Sequence, residues 1–301
     1  MRTRLGLALA LAAAVISGFA VYTNSYGVRA FGSATVYTTA KNLVAAIVLA
    51  AALAVAGRRV SLEGFTPPRG AAQWGGLAAV AVVGGSAPFI LFFEGLARVS
   101  SDDAAFIQKT LVVWVALLAV PLLGERIGAW HVAAIAILVW GQAILGGGLG
   151  GIRLGSGEVM IFAATLLWAV ETVIARKLLQ GLSALTVATV RMGGGAVILV
   201  GYTLATTRWS TLAAIGWHQW SWAIGTGLIL AAYVATWYAA LARAGAIDVT
   251  ALLVPAAIIT ALLQAGSKAL APQWPGLLLV AAGSALIVLA VRQPRPAEVV
   301  A

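Results

Sequence analysis

Ten apolar runs restrict this chain to one kind of fold. They cover residues 4–25, 34–56, 71–95, 102–124, 128–147, 155–178, 184–206, 217–241, 247–270 and 275–292. A helix needs about 20 predominantly apolar residues to cross the hydrocarbon of a bilayer. In lipid every backbone N–H and C=O must be satisfied within the segment, and for runs of this length that means helices. Several linkers are only a few residues long, so neighbouring runs form antiparallel hairpins. Charged residues make up 9% of the 301, against roughly 25% in a soluble domain. The expected fold is an all-α integral membrane protein with ten transmembrane helices.

The ten runs are five runs written twice. Gly95-Leu96-Ala97-Arg98 matches Ala240-Leu241-Ala242-Arg243, Phe92-Phe93 match Trp237-Tyr238, and Asp103 matches Asp248, all 145 residues apart. Lys41-Asn42 matches Arg191-Met192 at an offset of 150. The Gly-rich stretch 146–151 divides five spans from five; no Gly-Lys-Ser/Thr follows it, so it is a linker and not a phosphate-cradling loop. The expected units are a first repeat over 1–147, a linker over 148–154, and a second repeat over 155–301 with a short tail. Residues 1–20 also resemble a signal peptide, but they match the run beginning near Gly155, and this makes them the first span. An odd number of spans per repeat puts the two repeats in opposite orientation, the pattern of transporters whose site lies near the midplane between the halves.

Net charge is +10, with the basic residues scattered through short loops instead of gathered on one patch, which argues against a nucleic-acid partner. With both termini in the cytoplasm, eleven of the 19 Lys and Arg fall on inner segments, among them Arg58, Arg59, Arg126, Arg176 and Arg295. Five fall on outer loops (Arg29, Arg98, Arg153, Arg208 and Lys268) and three inside spans. This bias predicts cytoplasmic termini in a multi-pass cell or inner membrane. With no cysteine there is neither a disulfide nor a thiolate site. His131 and His218 lie near span ends with no acidic cluster in sequence around them, and no catalytic or metal-ligand spacing is visible. Neither an enzyme nor a cofactor is expected; the partners are membrane lipids and a small-molecule substrate, with a homodimer as one compatible assembly.

Ala105-Phe106-Ile107-Gln108-Lys109-Thr110, Val113-Trp114-Val115-Ala116-Leu117-Leu118-Ala119 and Leu122-Leu123-Gly124-Glu125-Arg126 give the chain its family resemblance, together with Ala251-Leu252-Leu253-Val254-Pro255 in the second half. It resembles a ten-span drug/metabolite transporter of the EamA type over nearly its whole length. One element departs: Ala269-Leu270-Ala271 stands where the second repeat of such proteins has Gly-Glu-Arg. The resemblance implies export of amino acids or other small metabolites.

Ionisable residues inside spans cost on the order of 2.5–3.5 kcal/mol each and call for a partner or an aqueous cavity. Here they are Lys41, Glu94, Lys109, Glu171 and Arg191. Counted from the span ends, Lys41, Lys109 and Glu94 belong to an outer cluster, and Glu171 and Arg191 to an inner pair. Two readings stand side by side: ion pairs that hold spans together, or residues along a substrate path. On the second, Lys109 and Lys41 bind a substrate carboxylate beside Gln108. Trp168, Trp237 and Tyr238 either wall the cavity or only pack between helices. Glu171 and Arg191 form a gate that is bonded facing outward and parted facing inward, and Glu171 or Glu94 accepts a coupling proton. The expected function is secondary-active or facilitative export of carboxylate-bearing metabolites by alternating access. The alternatives are export of organic cations through the buried carboxylates and a non-transporting membrane scaffold. Pro88, Pro121 and Pro255 are candidate hinges.

Overall fold

The computed structural model describes residues 2–58, 64–99, 101–145, 155–207, 209–268 and 273–292. The 146–151 linker, Arg59, Arg153, Arg208, Ala269-Leu270-Ala271 and Arg295 lie outside the described residues. The described residues form helices joined by short turns and loops, with no strand among them. Nine stretches are long and apolar enough to cross a membrane, and a tenth, Ala129–Leu145, is a 17-residue apolar helix. The protein is an all-helical, ten-span membrane protein.

In chain order the first repeat holds α1 (Arg2–Phe31), α2 (Ala34–Arg58), α3 (Gly70–Val83), α4 (Ala87–Leu96), α5 (Ser101–Lys109), α6 (Leu111–Leu123) and α7 (Ala129–Leu145). The second holds α8 (Ser156–Leu178), α9 (Ala184–Thr206), a short α10 (Trp209–Ala213), α11 (Trp217–Leu241), α12 (Ala246–Ala251), α13 (Ala256–Lys268) and α14 (Trp274–Arg292). Local chemistry fixes several of the ends. The Ser183 hydroxyl accepts the Thr186 N–H at 3.1 Å and caps α9. Glu158 in the first turn of α8, with Arg176 and Lys177 in the last, suits the helix dipole.

The packing repeats under exchange of the halves. α1 lies on α11 and α13 just as α8 lies on α3, α4 and α6, and α2 meets α11 as α9 meets α3. The self-related pairs α2–α9 and α7–α14 pack across the pseudo-axis. Inverted repeats are therefore written into the contacts as well as into the sequence.

Three spans are interrupted where the sequence reads as a continuous apolar run. The third breaks at Gly84-Gly85-Ser86, where Gly85 N reaches back to Val80 O (3.0 Å) and the Ser86 hydroxyl bonds Ala81 O (3.1 Å). Pro88 sits in the first turn of α4, where its missing N–H is harmless. The fourth span of each repeat is split as well, at Thr110 in one and at 252–255 in the other, so that Pro255 directly precedes α13. Pro121 lies inside an unbroken α6.

The close crossings explain part of the glycine content. A methyl group on Gly85 would overlap Arg191 O, and one on Gly227 would fall 2.8 Å from Lys41 O and 2.7 Å from Val44 Cβ. Here α9 touches the α3–α4 break, and α2 touches α11, nearly backbone to backbone. Small residues make such approaches possible in lipid.

Candidate functional site

The cavity at the centre of the bundle draws on both repeats. Its wall includes Asn24 from α1, Lys41 from α2, Phe89, Phe92 and Phe93 from α4, and Gln108 and Lys109 from the end of α5. The second repeat adds Trp168 and Glu171 from α8, Arg191 from α9, and Tyr233 and Trp237 from α11. The cations expected in two separate clusters thus share one cavity. Lys41 and Arg191 each enter about 10 Å from opposite ends of their spans, which leaves about 10 Å between them in a 30 Å hydrocarbon layer. The ring of Phe89 fills that gap, with Lys41 Nζ 5.8 Å and Arg191 Cζ 5.5 Å from its centroid.

Each of these cations has partners of its own. The ammonium of Lys41 lies 4.1 Å from the Phe93 centroid and 5.5 Å from that of Tyr37, and it donates to Asn24 Oδ1 at 3.1 Å. Tyr37 donates to the same oxygen at 2.7 Å. Lys41 is therefore held in an aromatic cage closed by one amide oxygen. Arg191 Nε stands 3.7 Å from Glu171 Oε1, its Cζ is 5.9 Å from the Tyr238 centroid, and the Tyr238 hydroxyl donates to Glu171 Oε1. Tyr238 is fully buried and reaches the cavity through Glu171.

Lys109 differs from both. It is 5% exposed, and its Nζ is buried with no hydrogen-bond partner. The neighbouring Gln108 Oε1 is buried and unpartnered as well. An orphaned buried donor beside an orphaned acceptor, both in a cavity wall, is the arrangement a bound ligand would complete.

The aromatic residues form one connected surface. Trp168 meets Phe89 and Phe92 at 5.6 and 5.5 Å between centroids, and its indole N–H donates to Gly84 O at 3.2 Å. That acceptor is freed by the break between α3 and α4. Trp237 stacks on Tyr233 at 6.1 Å.

Glu94 does not join this cavity. Its carboxylate accepts from Thr35 at 2.7 Å and pairs with Arg98 at 3.2 Å, in an open depression shared with Tyr202, Thr206 and Thr211. Its span ends just beyond it, and one turn is enough to bring the carboxylate out. His131, which sequence left without an acidic neighbour, lies 3.3 Å from Asp248 Oδ1. That acid comes from the opposite repeat, 117 positions away in the chain, where no local pattern announces it.

Sequence reading missed Asn24, Tyr37, Phe89 and Tyr233. Tyr37 and Lys41 are four apart and share a helix face; this spacing was the available signal. Asn24 looked like the exit from an apolar run, whereas α1 continues to Phe31.

The Leu-Gly-Glu-Arg element gains a structural meaning. Gly124 ends α6 with φ +66°, a left-handed turn natural to glycine, and turns the chain toward α12. Glu125 then accepts the backbone N–H of Ala246 (2.6 Å) and of Ile247 (3.1 Å). A carboxylate of the first repeat thus caps a helix of the second.

A ten-span inverted-repeat bundle with a charged, aromatic-walled central cavity has the architecture of a membrane transporter. The model of the EamA-like transporter family matches residues 4–147 and 155–289, one match per repeat. The chain belongs to the EamA-like transporter family. No curated protein sequence matches it. A solved structure titled only "Crystal structure of protein" superposes with a TM-score of 0.75 at 19% identity, over 97% of this chain and 98% of that one, a likeness of fold.

Proposed function

We propose that this transporter exports small carboxylate-bearing metabolites, amino acids foremost, from the cytoplasm across the cell membrane by alternating access, with both termini cytoplasmic. The observation that carries the reading is the unpartnered ammonium of Lys109 in the cavity wall. Lys41 is caged and Arg191 is paired, so Lys109 is the cation left to meet an incoming carboxylate. Gln108 Oε1 beside it is suited to accept from an α-ammonium, and Trp168 and Trp237 offer flat apolar surface to a side chain.

Glu171 and Arg191 serve in this reading as the gate and the proton-sensitive pair. Glu94, in its outer depression, has no part in the central site. Export of organic cations is the weaker alternative, because the cavity's carboxylate, Glu171, already answers to Arg191 and Tyr238.

The test is efflux from proteoliposomes loaded with labelled glutamate, leucine or phenylalanine, with and without a pH gradient. Efflux that Lys109→Met abolishes supports the reading. Equal efflux from wild type and Lys109→Met, with Lys109→Glu also active, would sink it. An unchanged pH response in Glu171→Gln would remove the proton role.

A further inference from the structure

Lys109 belongs to two spaces at once. Besides the central cavity it lines a small void between α5, α7 and the 252–255 segment, together with Phe106, Leu138, Val254, Thr110 and Gln142. That void is apolar apart from Lys109, Thr110 and Gln142. The hydroxyl of Thr110 is engaged, donating to Ile107 O (2.6 Å) and accepting from Trp114 Nε1 (3.1 Å). Gln142, 4% exposed on α7, has a buried Oε1 with no partner. One void is therefore lined by two residues with orphaned groups, Lys109 with its Nζ donor and Gln142 with its Oε1 acceptor, which are not bonded to one another here. Each such group is destabilising when left unmet. Lys109 is also the last residue of α5, next to the break at Thr110.

We infer that Gln142 is the resting acceptor of the Lys109 ammonium, and that the side chain swings between Gln142 in the empty protein and a substrate carboxylate in the central cavity. This rests on the proposed role of Lys109 as the carboxylate site and adds a positioning residue outside the cavity. The strength of the resting bond then tunes substrate affinity, because binding must first release Lys109. A lysine with no alternative partner would grip tightly and release slowly; one parked on a neutral amide exchanges readily.

The experiment compares Gln142→Leu and Gln142→Glu, each with Lys109 present and in the Lys109→Met background. Thermal melting of purified protein needs no substrate. With Lys109 present, Gln142→Glu supplies a counter-ion and raises the melting temperature by a few degrees; in the Lys109→Met background the same change lowers it. Equal shifts in the two backgrounds overturn the inference. KM for efflux of the labelled glutamate, leucine and phenylalanine panel reads the swing itself. Gln142→Leu lowers KM several-fold with little change in maximal rate, and Gln142→Glu raises it at least tenfold. Thermal coupling without a change in KM would make Gln142 a static partner and overturn the swing. If wild type moves none of the panel, the carboxylate reading fails, while the melting comparison still decides whether Gln142 holds Lys109.

Discussion

The two repeats build the same half-site from different chemistry. In each, a cation on the second span faces an aromatic ring on the third: Lys41 over Phe93 in the first repeat, Arg191 by Tyr238 in the second. In each, that cation's own carbonyl lies against a glycine of the third span of the other repeat, Gly227 for Lys41 and Gly85 for Arg191. The difference is the counter-ion. Arg191 has Glu171, whose matching position in the first repeat, at an offset of 151, is Ala20. Among the described residues Lys41 has Asn24 Oδ1 and ring faces, and no carboxylate. Duplication thus preserved geometry while charge diverged, leaving one half an ion pair and the other a lone cation. A symmetric scaffold can hold an asymmetric site.

Substitutions sharpen this comparison in order of expected size. Arg191→Ala leaves the buried Glu171 carboxylate without its counter-ion and should cost roughly 3–5 kcal/mol in thermal or denaturant unfolding. Gly85→Ala forces a methyl group against Arg191 O and should cost about 1–3 kcal/mol, by overpacking; Gly227→Ala should cost less, because its contacts are looser. Lys41→Met removes a caged cation but leaves Asn24 bonded to Tyr37, and a loss of about 1 kcal/mol is expected on the same assay. Equal losses for Arg191→Ala and Lys41→Met would break the comparison. Smallest is Glu94→Gln, a partly exposed pair with Arg98, which should change stability by no more than about 0.5 kcal/mol and leave efflux as in wild type.

Much of the fold was legible because the bilayer imposes one solution on a long apolar run. The span limits read from sequence agree with the helices to within a few residues, α1 excepted, and the repeat matches foretold the exchange-symmetric packing. The interruptions were legible only in part: Pro88 and Pro255, read as candidate hinges, lie beside two of them, and no such signal marks the break at Thr110. Gly84-Gly85-Ser86 within an apolar run reads as ordinary small-residue packing, and its closeness to Arg191 O is visible only in the structure. The site was legible as a set of residues, since a charge inside a span is conspicuous. Its arrangement was not: counting depth along single helices cannot show that Phe89 lies between two cations, that Asn24 closes a cage, or that Glu94 turns outward. Those relations are set by which helices cross, with partners that range from 17 residues apart (Asn24 and Lys41) to 102 (Phe89 and Arg191).

Under the proposed alternating access, the Glu125 cap bears on the balance between the two forms. Two identical repeats, inverted about a common axis, would make the inward- and outward-facing forms mirror one another in energy, so that neither predominated at rest. Glu125 ties the repeats together beside α12, while its counterpart positions, Ala269-Leu270-Ala271, carry no carboxylate. On the proposed alternating-access reading, a charge-assisted tie of about 1.5–3 kcal/mol made in one form and lost in the other would tilt that balance by roughly ten- to a hundredfold. The resting molecule would spend nearly all its time closed on the tied side, and the cargo would have to find it open on the other.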